Sequence, residues 1–203
     1  MQNISGANKT EKRLTKLNEC FLNFSVDPIE NINRLTALCG EILGADCALY
    51  NRLDKGMLCS WAQWNVPADY KQVDNPQGHI CYDIINANKD DVVVVRDLPL
   101  TKYAYTDPNV VKFNLKTYLG QAVKLADKYV GALCVVYQND FIPSEDEKRI
   151  MGLIASAIAV EENRRQAQES LRESEERYRT LAESAQDFIF IIGPDWRIQY
   201  LNL

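Results

Sequence analysis

At 203 residues, with 46% hydrophobic and 25% charged side chains, the chain has a globular composition that excludes disorder along most of its length, and it has room for one ordinary domain plus extra segments. A formal net charge of -5 at pH 7 excludes the basic footprint of nucleic-acid binding. No run approaches the ~20 consecutive apolar residues of a membrane span, and the polar start at residues 1–9 lacks the apolar centre of a signal peptide.

Residues 1–26 form a first helical segment. From Thr10, a capping residue type, apolar Leu14, Leu17, Phe21 and Phe24 recur at three-four spacing as a narrow stripe that needs a partner surface. Asp27-Pro28-Ile29-Glu30 reads as a second helix start, with Asp27 as cap, Pro28 in the first turn and Glu30 completing a capping box. Ile29, Ile32, Leu35, Leu38, Cys39 and Ile42 are its expected buried face, and Gly44 is placed to end it.

Beyond Gly44 the hydrophobic period shifts toward two. Segments 46–53 and 57–64 are strand-like and joined by Asp54-Lys55-Gly56, a hairpin signal. Segment 66–89 is polar and irregular, with a short helix predicted around 80–87. Strands are predicted at 92–95, 117–125 and 129–137, and a brief helix at Asp107-Pro108. Strands in one block and helices in others indicate an α+β fold, an antiparallel sheet of about five strands flanked by helices, and argue against a parallel sheet.

Ser144, with Glu147 three residues on, opens the longest helix. With Ile150 as position a, the a and d positions run Ile150, Leu153, Ala157, Val160, Arg164, Ala167, Leu171, Ser174, Tyr178, Leu181 and Ala185. All but Arg164 and Ser174 are apolar or aromatic, a coiled-coil spacing that implies a partner helix, most simply that of a second subunit. The competing reading is a solvated single helix rich in Glu and Arg pairs.

Gly120 after Tyr118-Leu119, the strand Tyr129-Val130-Gly131-Ala132-Leu133-Cys134-Val135, and Phe141-Ile142-Pro143-Ser144-Glu145-Asp146 before an apolar helix together resemble the GAF family of sensory domains. Gly78-His79-Ile80-Cys81-Tyr82 with Val93-Val94-Val95-Arg96-Asp97-Leu98 is similar to that family's pocket-covering region. The resemblance implies a sensory domain over 27–163 and a signalling helix over 164–185 continuous with the helix from 144, and the narrow apolar stripes of the N- and C-terminal helices imply a homodimer associating in parallel through them. Ser174 to Ser184 and then Asp187-Phe188-Ile189-Phe190-Ile191-Ile192 resemble the opening of a PAS domain, so 186–203 is expected to be the truncated start of one. Trp196 stands in it where a turn glycine is common. Tandem modules of this kind resemble the input half of bacterial signalling proteins, above all sensor histidine kinases, with diguanylate cyclases and phosphodiesterases as alternatives. None of their catalytic motifs is present, so this stretch is expected to be non-catalytic. A purely structural dimerisation and relay module with a filled pocket is the competing reading.

The six cysteines, Cys20, Cys39, Cys47, Cys59, Cys81 and Cys134, contain no C-x-x-C pair and suit reduced core thiols in a cytoplasmic protein. His79 is the single histidine, and an enzyme using Cys81 with His79 is the third reading. Zinc would need roughly three or four convergent ligands, and only His79 and Cys81 are near in sequence. One axial candidate does not make a haem pocket. Bilin-binding relatives carry Cys followed directly by His; the order His79-Ile80-Cys81 breaks that geometry, so covalent bilin is not expected. Cyclic-nucleotide-binding relatives share Phe141 and Glu145-Asp146, but Asn139 is followed here by Asp140 where they have Lys. No Lys, Arg or metal cluster neighbours Cys81 in sequence, so it is expected to titrate as an ordinary or buried thiol. For a small organic ligand, the candidate pocket residues are Trp61, Trp64, His79, Cys81, Tyr82, Tyr103, Tyr105 and Tyr118, with Tyr70 in the same aromatic group.

Overall fold

The computed structural model describes residues 2–184 and 190–201, and of residues 2–10 the backbone alone. The chain divides into two compact units, Met1–Asn163 and Arg164–Leu203.

In the first unit, α1 (Gln2–Leu22) and α2 (Pro28–Leu43) precede the strands β1 (Cys47–Asp54), β2 (Met57–Trp64) and β3 (Val73–Asp74). Helix α3 (Ile80–Ala87), strand β4 (Val93–Val95), a 3-10 turn at Leu98–Leu100 and the short helices α4 (Tyr103–Thr106) and α5 (Pro108–Lys112) follow. Strands β5 (Thr117–Leu125) and β6 (Lys128–Tyr137) then lead into α6 (Glu145–Glu183). The sheet order is β3-β2-β1-β6-β5-β4, with every neighbouring pair antiparallel. The α+β architecture with an antiparallel sheet and a long C-terminal helix follows the sequence expectation. The sixth strand, β3, is two residues long, too short for a hydrophobic period to reveal inside its polar segment.

Local chemistry sets the helix ends. Asp27 accepts the Ile29 amide at 2.8 Å and Gly44, at φ 62, closes α2. Glu30 does not complete the expected capping box: it pairs with Arg34, and the Asp27 amide donates to Ser25 Oγ. The box at α6 does form, as Ser144 N–H donates to Glu147 at 2.9 Å and the Glu147 amide donates to Ser144 Oγ at 3.3 Å.

The period of two in the strands sorts side chains onto two faces. One face, with Ala48, Tyr50, Leu119, Leu133, Val135 and Tyr137, packs against Leu35 and Cys39 of α2 and Met151, Ile154 and Ile158 of α6. The other, with Cys47, Leu49, Tyr118, Cys134 and Val136, packs beneath Ile80, Ile84 and Ile85 of α3 and Leu98, Val110 and Leu115. Leu17 and Arg13 of α1 are buried on the first face, where Arg13 meets Glu147 at 2.6 Å. Burial alone would raise the Glu147 carboxyl, but its hydrogen bonds with Ser144 and the Arg13 guanidinium hold it down at about 2.

In the second unit, Leu171, Tyr178 and Leu181 of α6 are 61%, 69% and 61% exposed. Strands β7 (Phe190–Ile192) and β8 (Ile198–Leu201) form an antiparallel hairpin. Trp196, where glycine is common, adopts φ 60 in its turn, a conformation that costs an L-residue free energy. Asp187, Phe188 and Ile189 lie outside the described residues.

Candidate functional site

Between the sheet and the α3–α5 region lies a cavity of about 100 Å³, where one water needs roughly 10–15 Å³. Its position follows from strand parity and one tight turn. Asn51 and Ser60 face it, and Gly78, at φ 92, brings the chain so close to Thr106 that an added Cβ would lie 2.6 Å from the Thr106 oxygen. That approach sets His79 at the cap of α3.

A chain of polar contacts lines the wall. Tyr70 and Ser60 hydroxyls meet at 2.6 Å, and Ser60 Oγ donates to the Asn51 side-chain oxygen. Asn51 Nδ2 in turn donates to Cys81 Sγ at 3.1 Å and reaches Cys134 Sγ at 4.0 Å. Cys81 Sγ also lies 3.3 Å from the Tyr118 hydroxyl and 3.6 Å from Cys134 Sγ. Nearby, His79 Nδ1 is 3.3 Å from Asp107 and its Nε2 is 3.8 Å from Asp74. Asp107 also accepts the Ile80 amide at 3.2 Å and the Asn109 amide at 3.1 Å, so one carboxylate serves α3, α5 and the histidine.

These contacts shift titrations. Burial pulls His79 down, but the hydrogen bond and charge of Asp107, with Cys81 and Asp74, leave its pKa raised. Cys81 departs from the expected ordinary or buried thiol: its hydrogen bond with Cys134, assisted by Tyr118 and Asn51, outweighs burial and lowers it. Cys134, on the other side of that hydrogen bond and also buried, is pushed well up. Burial likewise pushes up Tyr118 and Tyr70.

Of the candidate residues, His79, Cys81 and Tyr118, together with Tyr70, come together in the cavity wall. Trp61 and Trp64 pack on the opposite, helix-covered face. Opposite β1, Tyr50 pairs with Ala62 and Asn51 with Ser60, leaving Trp61 as an extra, bulged residue. Past the bulge the alternation reverses, and the Trp64 ring is laid onto Gly40, whose absent Cβ would sit 2.2 Å from Cε3. Trp61 stacks under Arg52, 4.3 Å from its guanidinium carbon. Tyr103 donates to Asp83 at 2.9 Å, Tyr82 is half-buried, and Tyr105 is 93% exposed; none of the three lines the cavity. Phe141, of the cyclic-nucleotide comparison, stacks on Tyr137 on the helix side at 4.1 Å.

The sequence reading missed Asn51, Ser60, Asp74, Asp107 and Cys134. Asn51 carried a signal, a polar residue directly after the apolar run Cys47-Ala48-Leu49-Tyr50, at the parity of Cys47 and Leu49. Asp107 reads in sequence only as a helix cap. Among the described residues no group of His, Cys, Asp and Glu could hold a metal ion, and no helix is long and apolar enough to cross a membrane.

No curated protein matches the chain. Its fold resembles the GAF domain of a phosphoenolpyruvate-protein phosphotransferase from Coxiella burnetii, with 16% identity over 81% of this chain and 98% of that one, TM-score 0.66. A bacteriophytochrome from the photosynthetic bacterium R. palustris matches at 11% identity and TM-score 0.62 over 87% of this chain, which spans 43% of that protein. A free methionine-R-sulfoxide reductase from Neisseria meningitidis, solved with its substrate, matches at 16% identity and TM-score 0.58 over 70% of this chain and 83% of that one. Identities this low carry the fold and no more. The GAF domain family model, however, matches residues 27–161, a span that contains the six-stranded sheet, the cavity under α3 and the start of α6, and the chain belongs to that family.

Proposed function

We propose that this chain is a non-catalytic sensory module that binds a compact, partly polar organic ligand in the cavity and transmits the bound state along α6. GAF domains are generally non-catalytic regulatory modules. The observation that carries the reading is the triplet Tyr50-Asn51-Arg52 on β1. Asn51 faces the cavity and holds Cys81 and Ser60. Its two neighbours face the other way: the Tyr50 hydroxyl and Arg52 Nη1 each donate to the fully buried Glu162 of α6 at 2.7 Å. A ligand that repositions Asn51 therefore acts on a strand tied to α6 by two hydrogen bonds, one of them a part-buried ion pair. It biases the helix only by its differential affinity for the two arrangements. The open cavity favours this reading over a purely structural relay with a filled pocket. The resemblance of residues 174–202 to the opening of a PAS domain supports a sensor histidine kinase as parent, and the exposed stripe on α6 supports a parallel homodimer.

Ligand-observed NMR with a panel of small polar and aromatic compounds tests the binding. Leu115→Trp, which fills the cavity, should abolish hits that Tyr105→Ala leaves intact. Hits surviving Leu115→Trp would place the ligand elsewhere. With a hit in hand, hydrogen exchange along α6 should respond to it in the native chain and not in Tyr50→Phe with Arg52→Met, while affinity is retained.

A further inference from the structure

The cavity wall holds a pair of thiols from different elements, Cys81 of α3 and Cys134 of β6, with their sulfurs 3.6 Å apart. A disulfide needs ~2.05 Å between sulfurs, so a shift of roughly 1.5 Å between helix and strand would join them. The Asn51 amide and the Tyr118 hydroxyl sit against Cys81 Sγ at 3.1 and 3.3 Å, where both can donate to a thiolate. The other cysteines lack this setting. Cys39 is in the opposite core, where burial pushes its thiol up, and burial pushes Cys47 up to about 12. Cys20 and Cys59 are partly exposed.

We propose that Cys81 and Cys134 are a redox-modifiable dithiol, oxidised to a disulfide by hydrogen peroxide that enters the cavity. This is independent of whether the cavity also binds an organic ligand. The Cys81 thiolate attacks one peroxide oxygen and the O–O bond breaks. The sulfur is oxidised by two electrons to a sulfenic acid, and the departing oxygen takes up the proton that Cys81 released and leaves as water. Cys134 sulfur then attacks Cys81 sulfur, the S–S bond forms, and the expelled hydroxide takes the Cys134 proton as a second water. In sum, two thiols and one peroxide give one disulfide and two waters, and an excess of a dithiol reductant reverses it. In a reducing compartment such a bond is a transient signal rather than a structural staple. It would also take from Asn51 the sulfur it holds in place.

The full chain is treated with hydrogen peroxide, its thiols are counted, and its peptides are mapped by mass spectrometry. The expected result is loss of two of the six thiols, a linked Cys81–Cys134 peptide pair, and full recovery with dithiothreitol. In Cys134→Ala, Cys81 should instead be trapped by dimedone as sulfenic acid. Because the native chain alone reports the link, a variant that fails to fold leaves the test standing. Oxidation confined to Cys20 and Cys59, with Cys81 and Cys134 still reduced in the folded chain, would overturn the proposal.

Discussion

The two faces of the central sheet are built from the same strands and come out differently. Toward α2 and α6 the inward positions are filled by Leu35, Leu133, Ile154 and Ile158, all essentially without exposure. Toward α3 the strands contribute Asn51, Ser60, Tyr118 and Cys134, and a cavity remains. Close packing on one face holds the sheet rigid, and that rigidity lets the other keep polar groups and empty space without collapsing. Stability and responsiveness are thus divided by the sheet.

The largest expected effect tests that division directly. Ile154→Ala, in the filled face, should cost about 2–5 kcal/mol, the transfer of its methyls plus the void left behind. Leu58→Ala, in the cavity wall, removes a side chain whose surroundings are already open and should cost about 2 kcal/mol or less. Equal losses in urea melts would erase the contrast.

A smaller effect separates the faces by pH. On the helix side Glu147 is held at about 2 against an ordinary 4.5. Its contribution is present in full above pH 4.5 and is lost as pH falls toward 2. On the cavity side His79 has a raised pKa against an ordinary 6.5. Its contribution is present below pH 6.5 and is lost as pH rises through its folded value. Stability should therefore be greatest between these limits. Arg13→Met should shrink the acid limb alone, and His79→Gln the alkaline limb alone. A variant that flattens both limbs would show that the faces are not separable.

Most elements were legible in sequence from a period or a cap, although Thr10, read as a cap, lies inside α1 and Glu30 closes no box. Asp27, Gly44, Ser144 and Glu147 mark real helix ends, and the Asp54-Lys55-Gly56 hairpin joins β1 to β2. The site was legible only in part, for two physical reasons. Alternation was carried unbroken through β2, so the bulge at Trp61 went unseen, although it decides which face Trp64 joins. The partners of His79 and Cys81, namely Asp107, Asn51 and Cys134, come from other elements, and their approach depends on tertiary packing that local pattern does not encode. The lowered Cys81 thiol was missed for the same reason: its first cause is the hydrogen bond with Cys134, with Tyr118 and Asn51 beside it, and all three come from other elements.

The smallest stability effect belongs to neither face. Leu171 lies on the exposed stripe of α6, so Leu171→Lys should change the stability of the folded chain by no more than about 0.5 kcal/mol. By the dimer proposal it should nevertheless weaken self-association in sedimentation. A native chain that sediments as a monomer, or an unchanged dimer in the variant, would leave that proposal without support.

The bulge at Trp61 makes the inside and outside of this sheet a matter of parity. Because strand side chains alternate in steps of two, an insertion or deletion of a single residue between Leu58 and Ala62 reverses odd and even for the rest of β2. Removing the extra residue would swing the Trp64 indole from its seat on Gly40 toward the cavity, without substituting any residue that now lines it. One codon gained or lost there would act on the pocket's shape as strongly as a redesign of its wall, so comparison of relatives by aligned residue type alone would misjudge which of them share this cavity.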